Sequence, residues 1–242
     1  MSEWSAIAAD WHELWGAFAE PVQRRVIEAA GIGGGTRVLD VGCGSGEFLA
    51  ILTEAGAIAS GVDPAEGMVA LAAAHADVRV GDAEHLPFDD ARFEVVTAVN
   101  AFQFADDPAA ALAEFSRVLA PGGLIAIANW AEAALNDIDT IESALAGSDG
   151  DDGGESALRL PGGQEELLAD AGFAIVASGL VEAPWHAPDD DILVRGVLLG
   201  EDADSQQRLA HTVREAAAPY RTATGGYLLS NAFRFAVART AS

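Results

Sequence analysis

The chain has 242 residues, half of them apolar, and a formal net charge of −25 in which all 13 basic residues are arginine. A surface so acidic repels phosphate backbones and anionic bilayers, which argues against nucleic-acid and membrane partners. The single cysteine, Cys43, excludes a disulfide framework and a cysteine metal cluster, and it reads as a small residue inside a turn. No apolar run approaches the length of a bilayer span, and MSEWSAIAADWHELW lacks the basic start and apolar stretch of a signal peptide, so a cytoplasmic protein is the expectation.

In chain order, Trp11, Leu14, Trp15 and Phe18 share one face of an N-terminal helical region, which AAGIGGG at 29–35 separates from the first strand. Strands are predicted near 36–41, 57–62, 77–81, 93–99 and 123–129, with helices near 46–56, 64–75 and 107–120. Such alternation predicts a parallel sheet with helices on both faces. Leu119-Ala120-Pro121-Gly122-Gly123 reads as a helix stop and turn. Beyond it, 131–146 reads as helical, GSDGDDGGE at 147–155 as an acidic loop, and LPGGQEELLADAGF as a helix leading into a sixth strand near 173–182. Two helices over 188–218 and a final strand over 227–239 complete the chain.

The most informative stretch is VLDVGCGSGEF at 38–48: an apolar strand closes on Asp40, and glycines at 42, 44 and 46 let the backbone turn tightly against a ligand. A dinucleotide fingerprint has a related glycine triplet with its last spacing one residue longer, so the triplet alone leaves a nicotinamide-dependent dehydrogenase open. Four further segments follow: AIASGVD ending at Asp63 and running on through Pro64 to Met68, VRVGDAEHLPFDD at 78–90, FEVVTAVNAFQF at 93–104, and RVLAPGG at 117–123. In their order and spacing, the chain resembles the small-molecule branch of the class I S-adenosylmethionine-dependent methyltransferases. The motif-bearing part covers about residues 31–130.

That resemblance implies an α/β, Rossmann-like sheet of seven strands, mostly parallel, whose antiparallel last strand inserts between the fifth and sixth. It implies S-adenosyl-L-methionine as cofactor, with Gly42, Cys43 and Gly44 under its methionine part and Asp63 on the ribose. Met68 would pack on adenine, Asp82 and Ala83 would meet the adenine edge, and Asn100 to Gln103 would line the floor near the methyl group. Trp11, Asp40 and Pro64 complete the expected cofactor set. The chemistry suits these residues: an ionised carboxylate accepts from both ribose hydroxyls, and a carboxylate beside a backbone N–H can read the adenine amine and ring nitrogen together.

One domain over 1–242 is expected, with a helical lid at 1–30, a cofactor core at 31–130, and substrate-covering insertions at 131–160 and 188–225. The acceptor should bind at the carboxyl ends of the strands, where Trp15, Phe18, Phe104, Trp130 and Trp185 are candidate walls. For a hydroxyl acceptor a base is needed, and His186 and His12 are the candidates, with His75, His85 and His211 reading as surface residues. Gln103 stands where relatives often carry histidine; an amide orients but cannot abstract a proton. No acidic cluster beyond Asp106 and Asp107 marks a metal-assisted site, and no metal is expected. The expected function is methyl transfer to a small organic acceptor, O-methylation ahead of N- or C-methylation, by a monomer or homodimer. A cofactor-binding protein of the same fold with a non-methylating or partner-subunit role is the alternative.

Overall fold

The computed structural model describes residues 3–146 and 155–240. Helices α1 (Glu3–Trp15) and α2 (Glu20–Ala30) precede β1 (Arg37–Val41), α3 (Glu47–Glu54), β2 (Ile58–Asp63), α4 (Glu66–Ala72), β3 (Asp77–Val80) and β4 (Phe93–Val99). Then come α5 (Pro108–Val118), β5 (Leu119–Trp130), α6 (Asp137–Ala146), α7 (Gly163–Asp170), β6 (Ala174–Glu182) and β7 (Trp185–Ala187). The chain closes with α8 (Asp190–Val197), α9 (Ala203–Ala217), β8 (Tyr227–Leu229) and β9 (Ala232–Arg239). Most of the acidic segment expected as a loop at 147–155 lies outside the described residues.

Local chemistry sets the boundaries. Asp107 caps α5, its carboxylate accepting from the Ala109 and Ala110 amides, while Pro108 opens the helix without needing a donor. Asp189 and Asp202 cap α8 and α9 in the same way. Gly31 takes a left-handed conformation to end α2, where a side chain would be strained.

The main sheet has the order β3-β2-β1-β4-β5-β9-β6, parallel except for β9, which runs antiparallel to both β5 and β6. This is the seven-stranded arrangement that the resemblance implies. One apolar core gathers Val22, Val26, Phe48, Leu49 and Leu52 against one face of the sheet, and a second gathers Leu39, Phe115, Val118 and Leu168 against the other. No helix among the described residues is long and apolar enough to cross a membrane.

Two expectations need correction here. The predicted final strand over 227–239 is broken at Ser230 and Asn231: β8 leaves the main sheet and pairs with β7 in a separate two-stranded ribbon. Asn231 makes the corner. Its side chain is buried, its Oδ1 accepts from the Ile138 amide, and its carbonyl accepts from the Ala183 amide. The stretch from Leu119 to Gly123, expected as a turn, is the start of β5, with Leu119 opposite Phe93 across an irregular register.

Phe233 on β9 is fully buried between the layers and stacks on Trp130 with centroids 5.3 Å apart. Phe233→Ala should lower stability by about 3–5 kcal/mol. Urea unfolding measures it, and a loss below about 1 kcal/mol would mean that the layers repack around the gap.

Candidate active site

A cavity of about 390 Å³ opens at the carboxyl ends of β1, β2 and β4, within the range of small-molecule sites. Its floor is the glycine turn after β1. The amides of Gly42 and Cys43 both donate to the Val62 carbonyl, at 2.8 and 3.1 Å, so the turn is stitched to the neighbouring strand. Gly42 has φ +69°, and a Cβ there would lie 2.4 Å from that of Ala101. No other residue type fits.

Asp63, at the end of β2, holds the turn from the side. Its Oδ2 accepts from the Gly44 amide and its Oδ1 from the Ala65 amide, each at 2.9 Å. Burial raises its pKa, while these two donors pull it back. A carboxylate with one bond on each oxygen still has lone pairs for two further donors. Asp40 is buried deeper: desolvation pushes its pKa up to about 7 against a bond from Thr97 Oγ1 at 2.7 Å, with Asp63 and Glu47 adding repulsion. Burial beside the same two aspartates also raises the Cys43 thiol, which stays protonated as a small turn residue.

The cavity has two differently built ends. At one, Ala8, Ala65 and Met68 form a small apolar cluster under Trp4 and Trp11, with Phe104 edge-on to Trp4 at 5.8 Å. Pro64, Asp82, Ala83 and Glu84 also line the cavity. At the other, Trp15, Phe18, Ala19, Gln23 and Phe48 face it from α1, α2, α3 and the α1–α2 loop. Asn100 lines the cavity after β4 in the left-handed region, at φ +53°, which asparagine tolerates better than most residues.

Most of the expected binding residues therefore converge: Trp11, Asp40, Gly42, Cys43, Gly44, Asp63, Pro64, Met68, Asp82, Ala83 and Asn100, and on the acceptor side Trp15, Phe18 and Phe104. Others stand elsewhere. Gln103 lies behind the floor, donating to Asn100 Oδ1 at 3.0 Å and accepting from Asn129 Nδ2 at 2.6 Å, so it positions Asn100. Trp130 stacks behind Phe18 at 4.8 Å. Trp185 lies flat on Trp15 at 4.5 Å and 11°, its Nε1 donating to the Leu14 carbonyl. Both tryptophans back the wall without forming it.

The histidines are the larger correction. In the β7–β8 ribbon Trp185 and Ala187 face inward, and alternation turns His186 outward, exposed opposite Leu228. It is outside the cavity lining, as is His12, whose Nδ1 pairs with Glu47 Oε1 at 2.6 Å with the imidazole more than half exposed. Among the described residues the lining carries five carboxylates, Asp40, Glu47, Asp63, Asp82 and Glu84, and no histidine, arginine or lysine.

Trp4, Gln23, Glu47 and Phe48 were not anticipated as lining. Gln23 had a signal: positions 22, 23, 26 and 30 form the buried face of α2, and a lone amide on such a face needs a partner.

Sheet order, reversed penultimate strand and a strand-end carboxylate bracing a glycine turn define the class I methyltransferase fold. Residues 39–127 match the family model of the methyltransferase domain. The chain is 33% identical over 135 residues to the malonyl-acyl-carrier-protein O-methyltransferase of Serratia marcescens, covering 54% of this chain and 52% of that one. It is 33% identical over 129 residues to the demethylmenaquinone methyltransferase of Staphylococcus aureus, covering 49% and 50%. The chain thus spans about half the length of these relatives. Among solved structures, the (4+2)-cyclase SpnF superposes with a TM-score of 0.60 at 22% identity, covering 92% of this chain and 80% of that one, a likeness of fold. Residues 39–127 are thus a methyltransferase domain, set in the class I fold that the motifs predict.

Two predictions follow the carboxylates. Asp63→Ala removes a charged hydrogen-bonding group worth roughly 1.5–3 kcal/mol, so S-adenosylhomocysteine affinity should fall about ten- to a hundredfold by calorimetry. Unchanged affinity in a folded variant removes Asp63 from the site. Asp40 keeps its proton to about pH 7 when folded but loses it near its ordinary value when unfolded. The folded state therefore binds more protons between those values, and stability falls as pH rises through that window, by at most about 4 kcal/mol. Asp40→Asn should then melt higher than the wild type at pH 8, the gap closing toward pH 4. An equal gap at both pH values would show Asp40 ionised throughout.

Proposed function

We propose that the protein transfers a methyl group from S-adenosylmethionine to a flat, apolar small-molecule acceptor, at a nucleophile that needs no enzyme base. One observation carries this reading: the glycine turn and Asp63 open into a chamber walled by Trp15, Phe18 and Phe48 and free of basic side chains among the described residues. In it, Asp63 accepts from the ribose hydroxyls, Asp82 and the Ala83 amide meet adenine, Met68 packs beneath it, and α1 closes over both ligands as a lid.

When bound, the cofactor supplies a methyl group on a sulfonium, whose displacement disperses positive charge. The protein's part is to align the acceptor, exclude water and tolerate the cation. Five carboxylates suit a cationic ligand. They oppose an anionic acceptor, which has no arginine or lysine to meet it. A hydroxyl acceptor that is not activated by its own conjugation needs a base, and neither His186 nor His12 lines the chamber. A nitrogen, or a carbon or oxygen made nucleophilic by its own conjugation, is the better-supported acceptor atom. We further propose a small-molecule enzyme acting as a monomer or homodimer.

The second reading, a cofactor-binding enzyme that transfers no methyl group, draws on the likeness to a cyclase of this fold and on the same absence of a base. Mass spectrometry of S-adenosylhomocysteine formed over a panel of aromatic amines, enols and phenols separates the two. Product is expected with neutral aromatics and not with carboxylates; silence across the panel while the cofactor binds favours the second reading. At a hundredfold excess over its dissociation constant, S-adenosylhomocysteine should stabilise the fold by about 2.7 kcal/mol, and NADH should leave the melt unchanged. His186→Ala should keep turnover within about twofold. A loss of about 10²-fold or more would restore the histidine as base.

A further inference from the structure

The two oxygens of Glu47, on the chamber wall, are used unequally. Oε1 is saturated: it accepts from Ser45 Oγ and pairs with His12 Nδ1, each at 2.6 Å, and a Cβ on Gly16 would come within 2.5 Å of it. Oε2 makes no hydrogen bond to any described residue. The buried side-chain oxygens left unmatched among the described residues belong to Gln23, Asn129 and Gln164, whereas 20% of the Glu47 side chain is exposed, so Oε2 is both unmatched and open. Both partners of Oε1 stand outside the cavity lining while Glu47 belongs to it, which leaves Oε2 as the oxygen that meets the cavity.

Its place among the lining carboxylates is also particular. Asp40 and Asp63 are bound into the floor by Thr97 and by the Gly44 and Ala65 amides, and Asp82 and Glu84 pair with His85 and the Asp107 amide. Glu47 instead adjoins the aromatic wall, through Gly16 next to Trp15 and through Phe48, which follows it on α3, and it is near enough to Asp40 to add repulsion there. It stands where the floor meets the chamber. We infer that Glu47 selects an amine as the acceptor: Oε2 accepts a hydrogen bond from the N–H of a flat aromatic amine held between Trp15, Phe18 and Phe48. This rests on the proposed function for the identity of the chamber. An N–H donated to a carboxylate makes a strong, charge-assisted bond and leaves the nitrogen lone pair free. That pair forms the new N–C bond as the C–S pair returns to sulfur, and the product's extra proton leaves to water. A hydroxyl suits the oxygen less well, because it must lose its one proton and a carboxylate is a weak base toward a phenol.

The test compares 1-aminonaphthalene with 1-methylnaphthalene, which share ring system and outline but differ in the N–H donor. Calorimetry on the full chain, with and without S-adenosylhomocysteine, should find the amine bound about ten- to a hundredfold more tightly than the hydrocarbon. Glu47→Leu should bind the two probes equally, and Glu47→Gln, which keeps an acceptor oxygen without the charge, should show a weakened preference. His12→Ala cuts the tie to α1 but leaves the carboxylate, so it should keep the wild-type preference, and the melts of all three variants report folding directly. Equal binding of both probes by the wild type, binding of neither, or a preference undiminished in both Glu47 variants overturns the inference. A loss in those variants confined to S-adenosylhomocysteine affinity overturns it too, by giving the open oxygen to the cofactor's own amino group, as does methyl transfer to 1-naphthol as fast as to the amine. Failure of S-adenosylhomocysteine to bind any form would overturn the cofactor reading alone, since the probe pair measured without it still decides what Glu47 does.

Discussion

The site depends on one carboxylate held in place by two backbone amides. Asp63 closes β2, and through the Gly44 amide it fixes the turn that closes β1, so that two parallel strands deliver one rigid floor. Neither end could adopt this form alone. The turn needs left-handed glycines and a donor sink on β2, and the carboxylate, largely buried, needs donors to remain charged. Each satisfies the other, and the remaining lone pairs of Asp63 are left facing the cavity.

The position of α1 follows from aromatic packing. Trp15 and Trp185 lie flat on each other, and each indole N–H donates to a carbonyl on the partner's side, Gly196 for Trp15 and Leu14 for Trp185. This reciprocal pairing ties α1 to β7 and α8 through bonds that span 171 and 181 residues of chain. Phe18, Trp130 and Phe233 continue the stack into the main sheet. The roof of the chamber is thus anchored on the side that holds Trp15. At the other end the Trp4–Trp11–Met68 cluster and the exposed Phe104 close it.

Most of the fold was legible because its signals are local. The apolar run before Asp40, the glycines after it and the helix stop that opens at Leu119 each dictate nearby backbone, and the structure follows them. What was missed depends on partners distant in sequence. The 227–239 stretch alternates as one strand, and only the buried contacts of Asn231 with Ile138 and Ala183 show why it must bend. His186 looked well placed after a strand end, but a three-residue ribbon decides by parity which side chain faces the core, and Trp185 has more apolar area to bury. At the site, the motif residues were readable and the wall was not. Gln23 and Trp4 join the cavity lining only when α1 and α2 fold back over it.

The carboxylate-only wall bears on turnover as well as on binding. Under the proposed reaction the ligand arrives with a sulfonium cation and leaves as a neutral thioether, while Asp40, Glu47, Asp63, Asp82 and Glu84 stay where they are. The repulsion that Asp63 and Glu47 exert on Asp40 is relieved by a cation and returns when the cation is gone. Chemistry therefore weakens the protein's hold on what remains. Burial does most to hold the proton on Asp40 up to about pH 7, and repulsion from Asp63 and Glu47 adds to it. A cationic ligand and that proton then compete for one role, and the site is best prepared for the ligand above the pH at which Asp40 gives the proton up.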